Sequence, residues 1–566
     1  LLVEAATGIG KTVAVLYPAV NSFAEKVNQK IFYLTARTTG RVAAEKALDE
    51  LRAKGLRLKS VTLTAKDKIC FCPDSACHPD ECEYARGHYD RINDAVKAIF
   101  ARDAFTREQI VETARAHRVC PFEFSLDLSL WADCIICDYN YVFDPRVYLR
   151  RFFQEEDGDY IFLIDEAHNL VDRSRDMFSA EIFKQPVLDI RRQLKNELPQ
   201  IFKSLGRINA WMVKARKRCE ASSNPLAEET PPDDLVPLLR GFLFITERWL
   251  SRNIKTAFRE SLLDLYFAMS GFIRVADQYD ECYTTCYEKI GNDLKIKLFC
   301  IDPSVHLTNA LRRCRTAVFF SATMTPIDYF KKILGCDAEA RHLILHSPFP
   351  GENLGLFISD QISTYYRQRD QTVPQISRAI SALVKQKKGN YLLYFPSYEY
   401  MRKIYHSFTD SNPQIQTILQ TSGMSEDKRE AFLQRFTKDN LKTLVGFAVM
   451  GGIFGEGIDL IGDRLVGAVI VGVGLPGISL EREIIKAYFT RTLNGGFEYA
   501  YLYPGINRVL QAAGRVIRTE KDRGVVLLID QRYARYQYKS LLREEWDPVW
   551  VRDPQQLAEG LGKFWK

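Results

Sequence analysis

Short apolar runs recur along the chain and read as buried strands, at 31–35, 61–64, 134–138, 160–164, 317–320, 391–395, 443–447, 467–471 and 525–529. Longer stretches of helical periodicity separate them. Val13, Leu16, Tyr17, Val20, Phe23 and Val27, for example, share one face of a predicted helix. Strands separated by helices point to parallel sheets of the βαβ kind. Two stretches break the rhythm. Residues 65–132 are rich in Cys, Pro and charge before they turn helical, and residues 179–310 show helix-like periodicity with few strand runs and a polar loop around 222–234. Both read as insertions into an α/β domain that resumes after each, and a second α/β unit runs from about Ser347 to the end. No fixed-period repeat is present.

Length and composition narrow the class. At 566 residues and 65.1 kDa the chain exceeds a single hydrophobic core, so three or four folding units are expected. Apolar residues at 46% and charged residues at 26% are those of an ordinary globular protein, which excludes a disordered or fibrous chain. No apolar run approaches the ~18–20 residues of a membrane span, and the mean hydropathy is −0.20. The net charge of +7 permits an anionic partner without demanding one. Thirteen cysteines, an odd number unevenly spread, disfavour a secreted disulfide framework and favour reduced thiols in a cytoplasmic compartment. The chain opens Leu1-Leu2-Val3 with its first motif a few residues on, so the natural N-terminus is expected upstream.

That first motif is Ala5-Ala6-Thr7-Gly8-Ile9-Gly10-Lys11-Thr12. It follows the phosphate-loop pattern G-x-x-x-x-G-K-[ST], with Ala5 in place of the first glycine. Thr7, Gly8 and Gly10 form a loop whose amides face a phosphate at a helix N-terminus. Lys11 suits the β- and γ-phosphates, and the Thr12 hydroxyl suits Mg²⁺. Asp165-Glu166-Ala167-His168 follows the apolar run 160–164, at the strand end where ligands sit in an open α/β sheet. Asp165 is expected to hold Mg²⁺ and Glu166 to orient and deprotonate the attacking water. Gln511, Arg515 and Arg518 are expected on one helix face at i, i+4, i+7, where arginines from a second domain would neutralise γ-phosphate charge.

Cysteine spacing raises a second chemistry. Cys70, Cys72, Cys77 and Cys82, with Cys120 38 positions later before Pro121, compete for one site that suits zinc or an iron–sulfur cluster. Cys134 and Cys137 lie an odd offset apart on a strand, hence on opposite faces, and read as packing residues. Cys282 and Cys286 would touch only if helical. Arg86, Tyr89 and Arg91 supply cations and an aromatic surface suited to single-stranded nucleic acid, or else a solvated helix face. Tyr139, Tyr141 and Phe143 read as core aromatics. Among eight histidines no H-E-x-x-H pair appears, which sets a zinc hydrolase aside.

A phosphate loop followed by D-E-A-H resembles the superfamily 2 nucleic-acid motors, and later motifs narrow the resemblance to iron–sulfur helicases of the XPD/DinG type. Thr35-Ala36-Arg37-Thr38 resembles motif Ia, Ser321-Ala322-Thr323-Met324-Thr325-Pro326 motif III, Phe454-Gly455-Glu456-Gly457-Ile458-Asp459 motif V, and the run from Gln511 through Arg515 to Arg518 motif VI. The resemblance implies two RecA-like α/β domains, the first carrying an iron–sulfur insertion and a helical arch. Its expected boundaries are 1–64, 133–178 and 311–346 for domain 1, 65–132 for the cluster, 179–310 for the arch and 347–566 for domain 2. It also implies ATP and Mg²⁺, a [4Fe–4S] cluster on Cys70, Cys77, Cys82 and Cys120 with Cys72 spare, and DNA unwinding with 5′→3′ polarity in repair or replication. Single-stranded DNA and DNA junctions are the implied partners, and some relatives carry a nuclease-like domain ahead of the motor. An RNA or RNA–DNA hybrid motor and a non-catalytic nucleic-acid binding protein are the alternatives.

Overall fold

The computed structural model describes residues 1–24, 29–73, 75, 77–153, 158–222, 224–440, 442–452, 454–455, 460 and 462–566. Two parallel sheets organise it, and each is built from the apolar runs. The first has eight strands in the order His342–Leu345, Leu2–Ala5, Thr316–Ser321, Tyr160–Asp165, Lys30–Leu34, Cys134–Cys137, Ser60–Thr62 and Ala104–Phe105. Every pairing in it is parallel. Lys30–Leu34 shows why the runs are continuous. Ile31 and Tyr33 pack on one face with Leu16 and Leu48, while Phe32 and Leu34 pack on the other with Phe162 and Ile164. A strand covered by helices on both sides needs apolar residues at every position.

The second sheet, of seven parallel strands, runs Gln416–Leu419, Leu444–Val449, Asn390–Phe395, Gly467–Val471, Gly524–Ile529, Leu354–Ser359 and Val549–Trp550. Its two faces carry separate apolar cores, with Leu392 and Tyr394 on one and Leu393 and Phe395 on the other. The α/β class with two parallel-sheet lobes is therefore the architecture of the chain.

Several expectations are corrected. The stretch 179–310 holds the helices Pro199–Ala221, Val236–Leu250 and Arg259–Ala276, but also a four-stranded antiparallel sheet ordered Ala180–Phe183, Asp293–Cys300, Tyr283–Ile290 and Leu226–Glu228. Ile290 pairs with Asp293 across Gly291 and Asn292, and Gly291 has φ +59°, as a two-residue hairpin turn requires. In Asp293–Cys300 the apolar Leu294, Ile296 and Leu298 alternate with Lys295 and Lys297, a period of two that marks a one-sided strand. Cys286 lies on a strand and Cys282 just before one, so the pair is not helical. On the helix Lys11–Ala24, Leu16 is buried but Tyr17 is exposed, and Val27 lies outside the described residues. Cys134 and Cys137 are buried in opposite cores, as their spacing requires. Among the described residues no helix is long and apolar enough to cross a membrane.

Candidate nucleotide site and adjoining basic cavity

The phosphate loop connects the strand Leu2–Ala5 to the helix Lys11–Ala24. Gly8 and Gly10 sit at φ +86° and +81°, a region where a side chain would clash with its own backbone. Gly8 has a second reason. A Cβ there would stand 2.1 Å from the Arg518 carbonyl oxygen, so the loop is pressed against the second lobe. Thr7 Oγ1 adds a hydrogen bond to the Gly514 carbonyl at 3.1 Å. The Lys11 ammonium donates to the Ala5 and Ala6 carbonyls, both at 3.0 Å. Burial lowers its pKa, opposed by Glu166 and Asp165. Thr12 and Asp165 both lie near the hydroxyl of Tyr33.

Asp165 ends the strand Tyr160–Asp165, and Glu166 turns the chain in the left-handed region at φ 49°. The Tyr139 hydroxyl holds this turn by donating to the carbonyls of Asp165 and Glu166. Thr35 Oγ1 donates to Asp165 Oδ2 at 3.4 Å. Gly40 keeps the space beside them open, since a Cβ there would lie 2.6 Å from Asp165 Oδ2. Burial, reinforced by the Glu166 carboxylate, pushes Asp165 up to about 7 against the pull of Lys11. Burial works against Glu166 too, but His168, Lys11, Arg515 and Arg37 hold it below the usual carboxylate range. Burial brings His168 down to about 4, so its ring is neutral near pH 7. A buried carboxylate short of compensating cation, with the Thr12 hydroxyl on the same side of Tyr33, is a set of hard oxygen donors that fits Mg²⁺.

A cavity of about 1050 Å³ opens beside these groups, lined by Thr7, Arg37, Glu166 and His168 from the first lobe and by Gln511, Arg515 and Arg543 from the second. Hydrogen bonds run from the acid pair into the second lobe through 321–326. Ser321 Oγ donates to Glu166 Oε2 at 3.1 Å and bonds His168 Nδ1 at 2.7 Å. The Thr323 amide donates to Ser321 Oγ, and Gln511 Nε2 donates to Thr323 Oγ1 at 3.2 Å. Asn507 grips the backbone of Thr325 from both sides, and Arg543 donates to the Ala322 carbonyl at 2.8 Å.

One expectation fails here. Gln511, Arg515 and Arg518 do not share a helix face, because the helix Tyr503–Ala513 ends before Gly514. Gln511 occupies its last turn, Arg515 lies in the turn that follows, and Arg518 lies beyond it in irregular chain. Arg515 still reaches the cavity, with Nη2 3.4 Å from the Gly455 carbonyl. Arg518 meets the phosphate loop through its backbone. Glu456, Gly457, Ile458 and Asp459 of the motif V segment lie outside the described residues. Sequence reasoning missed Tyr139 as a site residue, and also Glu4, Asn507 and Arg543. Two carried a signal: Glu4 is a charge in an apolar strand directly before the loop, and Asn507 precedes Gln511 by one helical turn.

A second cavity, of about 780 Å³, lies over the carboxyl ends of three strands of the first sheet, lined by Thr35, Thr64 and Asp138. Arg37, Arg41, Lys66, Lys68, Arg150 and Arg151 surround it, with Phe122, Tyr141 and Tyr148. Among the described residues its one acidic lining residue, Asp138, is paired with Arg173 at 2.9 Å. Tyr139 and Phe143 are core residues as read, whereas Tyr141 faces this cavity. Arg86 and Arg91 donate to backbone carbonyls of their own insertion, at Pro79 and at His117 and Arg118, and Tyr89 stays exposed.

The cysteine insertion borders that cavity. Cys70 caps the short helix Lys66–Ile69 and Cys120 the helix Pro121–Trp131. The free thiol of Cys72 neighbours that of buried Cys82, Cys77 neighbours Lys66, and Cys70 lies within the field of Cys72 and Cys120. Among the described residues, no three His, Cys, Asp or Glu side chains converge on one metal-binding point. The donors fit iron in chemical kind, since five neighbouring thiols supply thiolates.

Comparison with known proteins agrees with this geometry. The DEAD_2 family model matches residues 36–187 and the helicase C-terminal domain model residues 380–549. The chain is 22% identical to the ATP-dependent DNA helicase CHL1 of Debaryomyces hansenii, over 84% of this chain and 68% of the relative. It is 21% identical to the XPD helicase subunit of general transcription and DNA repair factor IIH from Dictyostelium discoideum, over 98% and 85%. It spans only 59% of Coccidioides immitis CHL1 and 33% of mouse DDX11. Among solved structures, an XPD helicase superposes with a TM-score of 0.63 at 18% identity, covering 97% of this chain and 96% of that one. The Xpd4 protein of S. tokodaii gives 0.59 at 15% identity, over 97% and 95%. With the phosphate loop, the D-E-A-H turn and two parallel-sheet lobes sharing one cleft, the chain belongs to the XPD/DinG-type superfamily 2 ATP-dependent DNA helicases.

Proposed function

We propose that the chain is the motor of a helicase that hydrolyses ATP to translocate 5′→3′ along single-stranded DNA in repair or replication. The observation that carries a nucleic-acid substrate is the second cavity, where, among the described residues, six cations and three aromatic rings surround one already-paired carboxylate. Phosphates suit the cations and splayed bases the rings. The polarity and the choice of DNA over RNA rest on family membership.

In the cleft, Gly8, Gly10 and Lys11 would cradle the phosphates, with Thr12 and Asp165 turned toward Mg²⁺, which supplies charge neutralisation on the phosphate oxygens when bound. Glu166, an anion in a ring of cations, would orient the attacking water and take its proton. Gln511 and Arg515 would face the γ-phosphate from the other lobe. Hydrolysis then depends on closure of the lobes, and closure displaces the grip on the strand.

Strand displacement on duplexes with 5′ or 3′ single-stranded tails tests this reading. Unwinding of the 5′-tailed duplex with ATP is expected; unwinding of only the 3′-tailed duplex overturns the polarity. Stronger stimulation of ATP hydrolysis by RNA than by DNA would favour the RNA motor.

Cys70, Cys77, Cys82 and Cys120 would hold a [4Fe–4S] cluster that braces the wall of the basic cavity, in a reducing, cytoplasmic setting. After anaerobic purification Cys82→Ser is expected to lose iron and visible absorption, and Cys72→Ser to keep both. The contact between Cys72 and Cys82 makes this a close test, because loss of the absorption in Cys72→Ser would replace one of the four ligands.

A further inference from the structure

The two cavities meet at one side chain. Of the described residues lining the nucleotide cavity and those lining the basic cavity, Arg37 alone belongs to both sets. Its backbone is anchored at the start of the helix Thr38–Ala53, and Thr35, two residues earlier, is tied to Asp165. On the nucleotide side the guanidinium lies in the field of Glu166, and Arg515 and Arg429 of the second lobe push against it. On the other side it joins Arg41, Lys66 and Lys68. Lys11 and Arg515 also lie in the field of Glu166.

We propose that Arg37 is a positioning residue that couples strand binding to hydrolysis. Without a strand its guanidinium stays on the nucleotide side, where it lines the same cavity as Glu166 and competes with water for that carboxylate. A backbone phosphate in the basic cavity competes for the same guanidinium, because phosphate accepts a charge-assisted, bidentate pair that a shared carboxylate matches poorly. Arg37 turns toward the strand and Glu166 is released. This rests on the motor reading above and adds the residue through which nucleic acid sets the rate. A ligand acts on a distant site only through a difference in interaction between two states, and typical couplings correspond to about 5–150-fold.

The test is steady-state ATP hydrolysis by the whole chain, with and without saturating oligo-dT. In Arg37→Gln the DNA-free rate is expected to rise several-fold and the stimulation to fall below about twofold, with KM for ATP little changed. Arg37→Lys should regain part of the stimulation. Arg41→Gln, which lines only the basic cavity, should need more DNA for half-stimulation but reach the wild-type plateau. Two results overturn the proposal: a DNA-free rate and plateau stimulation in Arg37→Gln equal to wild type, or both rates falling in parallel. If Arg37→Gln fails to fold, full wild-type coupling in Arg37→Lys together with an unaltered DNA-free rate overturns it equally. Wild-type hydrolysis unaffected by DNA also overturns the coupling alone, whereas absence of any Lys11-dependent hydrolysis would remove the motor reading itself.

Discussion

Replacing Arg515 by alanine is expected to lower the DNA-stimulated kcat for ATP by about 10³–10⁵-fold, the range for removing an arginine that neutralises a transferring phosphoryl group. Arg515 comes from the second lobe and lines the same cavity as Thr7 and Glu166 of the first. Its charge helps hold Glu166 ionised and is felt by Lys11 as well. A guanidinium so placed meets charge that develops only as the γ-phosphate departs, so the loss falls on kcat more than on nucleotide affinity. Arg515→Lys should recover only a small part, because an ammonium lacks the planar fork. Arg518 supplies a comparison. Its carbonyl rather than its side chain presses on Gly8, so Arg518→Ala should cost less than Arg515→Ala. Single-turnover hydrolysis with nucleotide affinity measured in parallel checks both; an Arg518→Ala loss exceeding that of Arg515→Ala would exchange their roles.

Glu166→Gln should lower kcat by about 10²–10⁴-fold, the usual weight of a positioned general base, while ATP still binds. The glutamine is nearly isosteric and can keep the hydrogen bond from Ser321, so the left-handed turn at φ 49° should survive. What it loses is the charge. Burial favours the neutral carboxyl; the positive charges of Lys11, Arg515 and Arg37 favour the ionised form that can accept a proton from water. Asp165, one methylene shorter, is pushed up to about 7 by burial and by Glu166 itself. Two adjacent acids are thus separated into a proton acceptor and a site that gains most from a cation. Retention of near-wild-type kcat in Glu166→Gln would mean that another group activates the water.

Much of the scaffold was legible because parallel strands are buried on both faces. The runs at 31–35, 391–395 and 467–471 announce themselves without any knowledge of their neighbours. Leu2–Ala5 and Leu354–Ser359 were overlooked although they are buried in the same way; for other overlooked strands that argument fails. His342–Leu345 is exposed along its whole length, and Gln416–Leu419 is at most half-buried, so edge position rather than composition makes them strands. The hairpin between Tyr283 and Cys300 was overlooked for a different reason: its lysines alternate with apolar residues inside a stretch dominated by helices.

The candidate site divides in the same way. The phosphate loop and the D-E-A-H turn could be read from the chain, since each is a contiguous motif whose chemistry depends on local backbone geometry and strand-end position. Where the motif VI helix stops, and so how Gln511, Arg515 and Arg518 face the cleft, could not; Gly514 ends a helix that i, i+4, i+7 spacing would continue.

By itself, then, the sequence determined the α/β class, the phosphate loop, the paired acids and a thiol-rich insertion, all consequences of near neighbours in the chain. Only the tertiary structure decided that 321–326 links the acids to Gln511, that Arg543 and Asn507 join the lobes, and that Arg37 stands between two cavities. Long-range pairings of this kind span as many as 507 positions, as between Thr7 and Gly514. Such pairings arise from the crossovers of a parallel sheet and the packing of two lobes, which no local pattern of hydrophobicity or charge encodes.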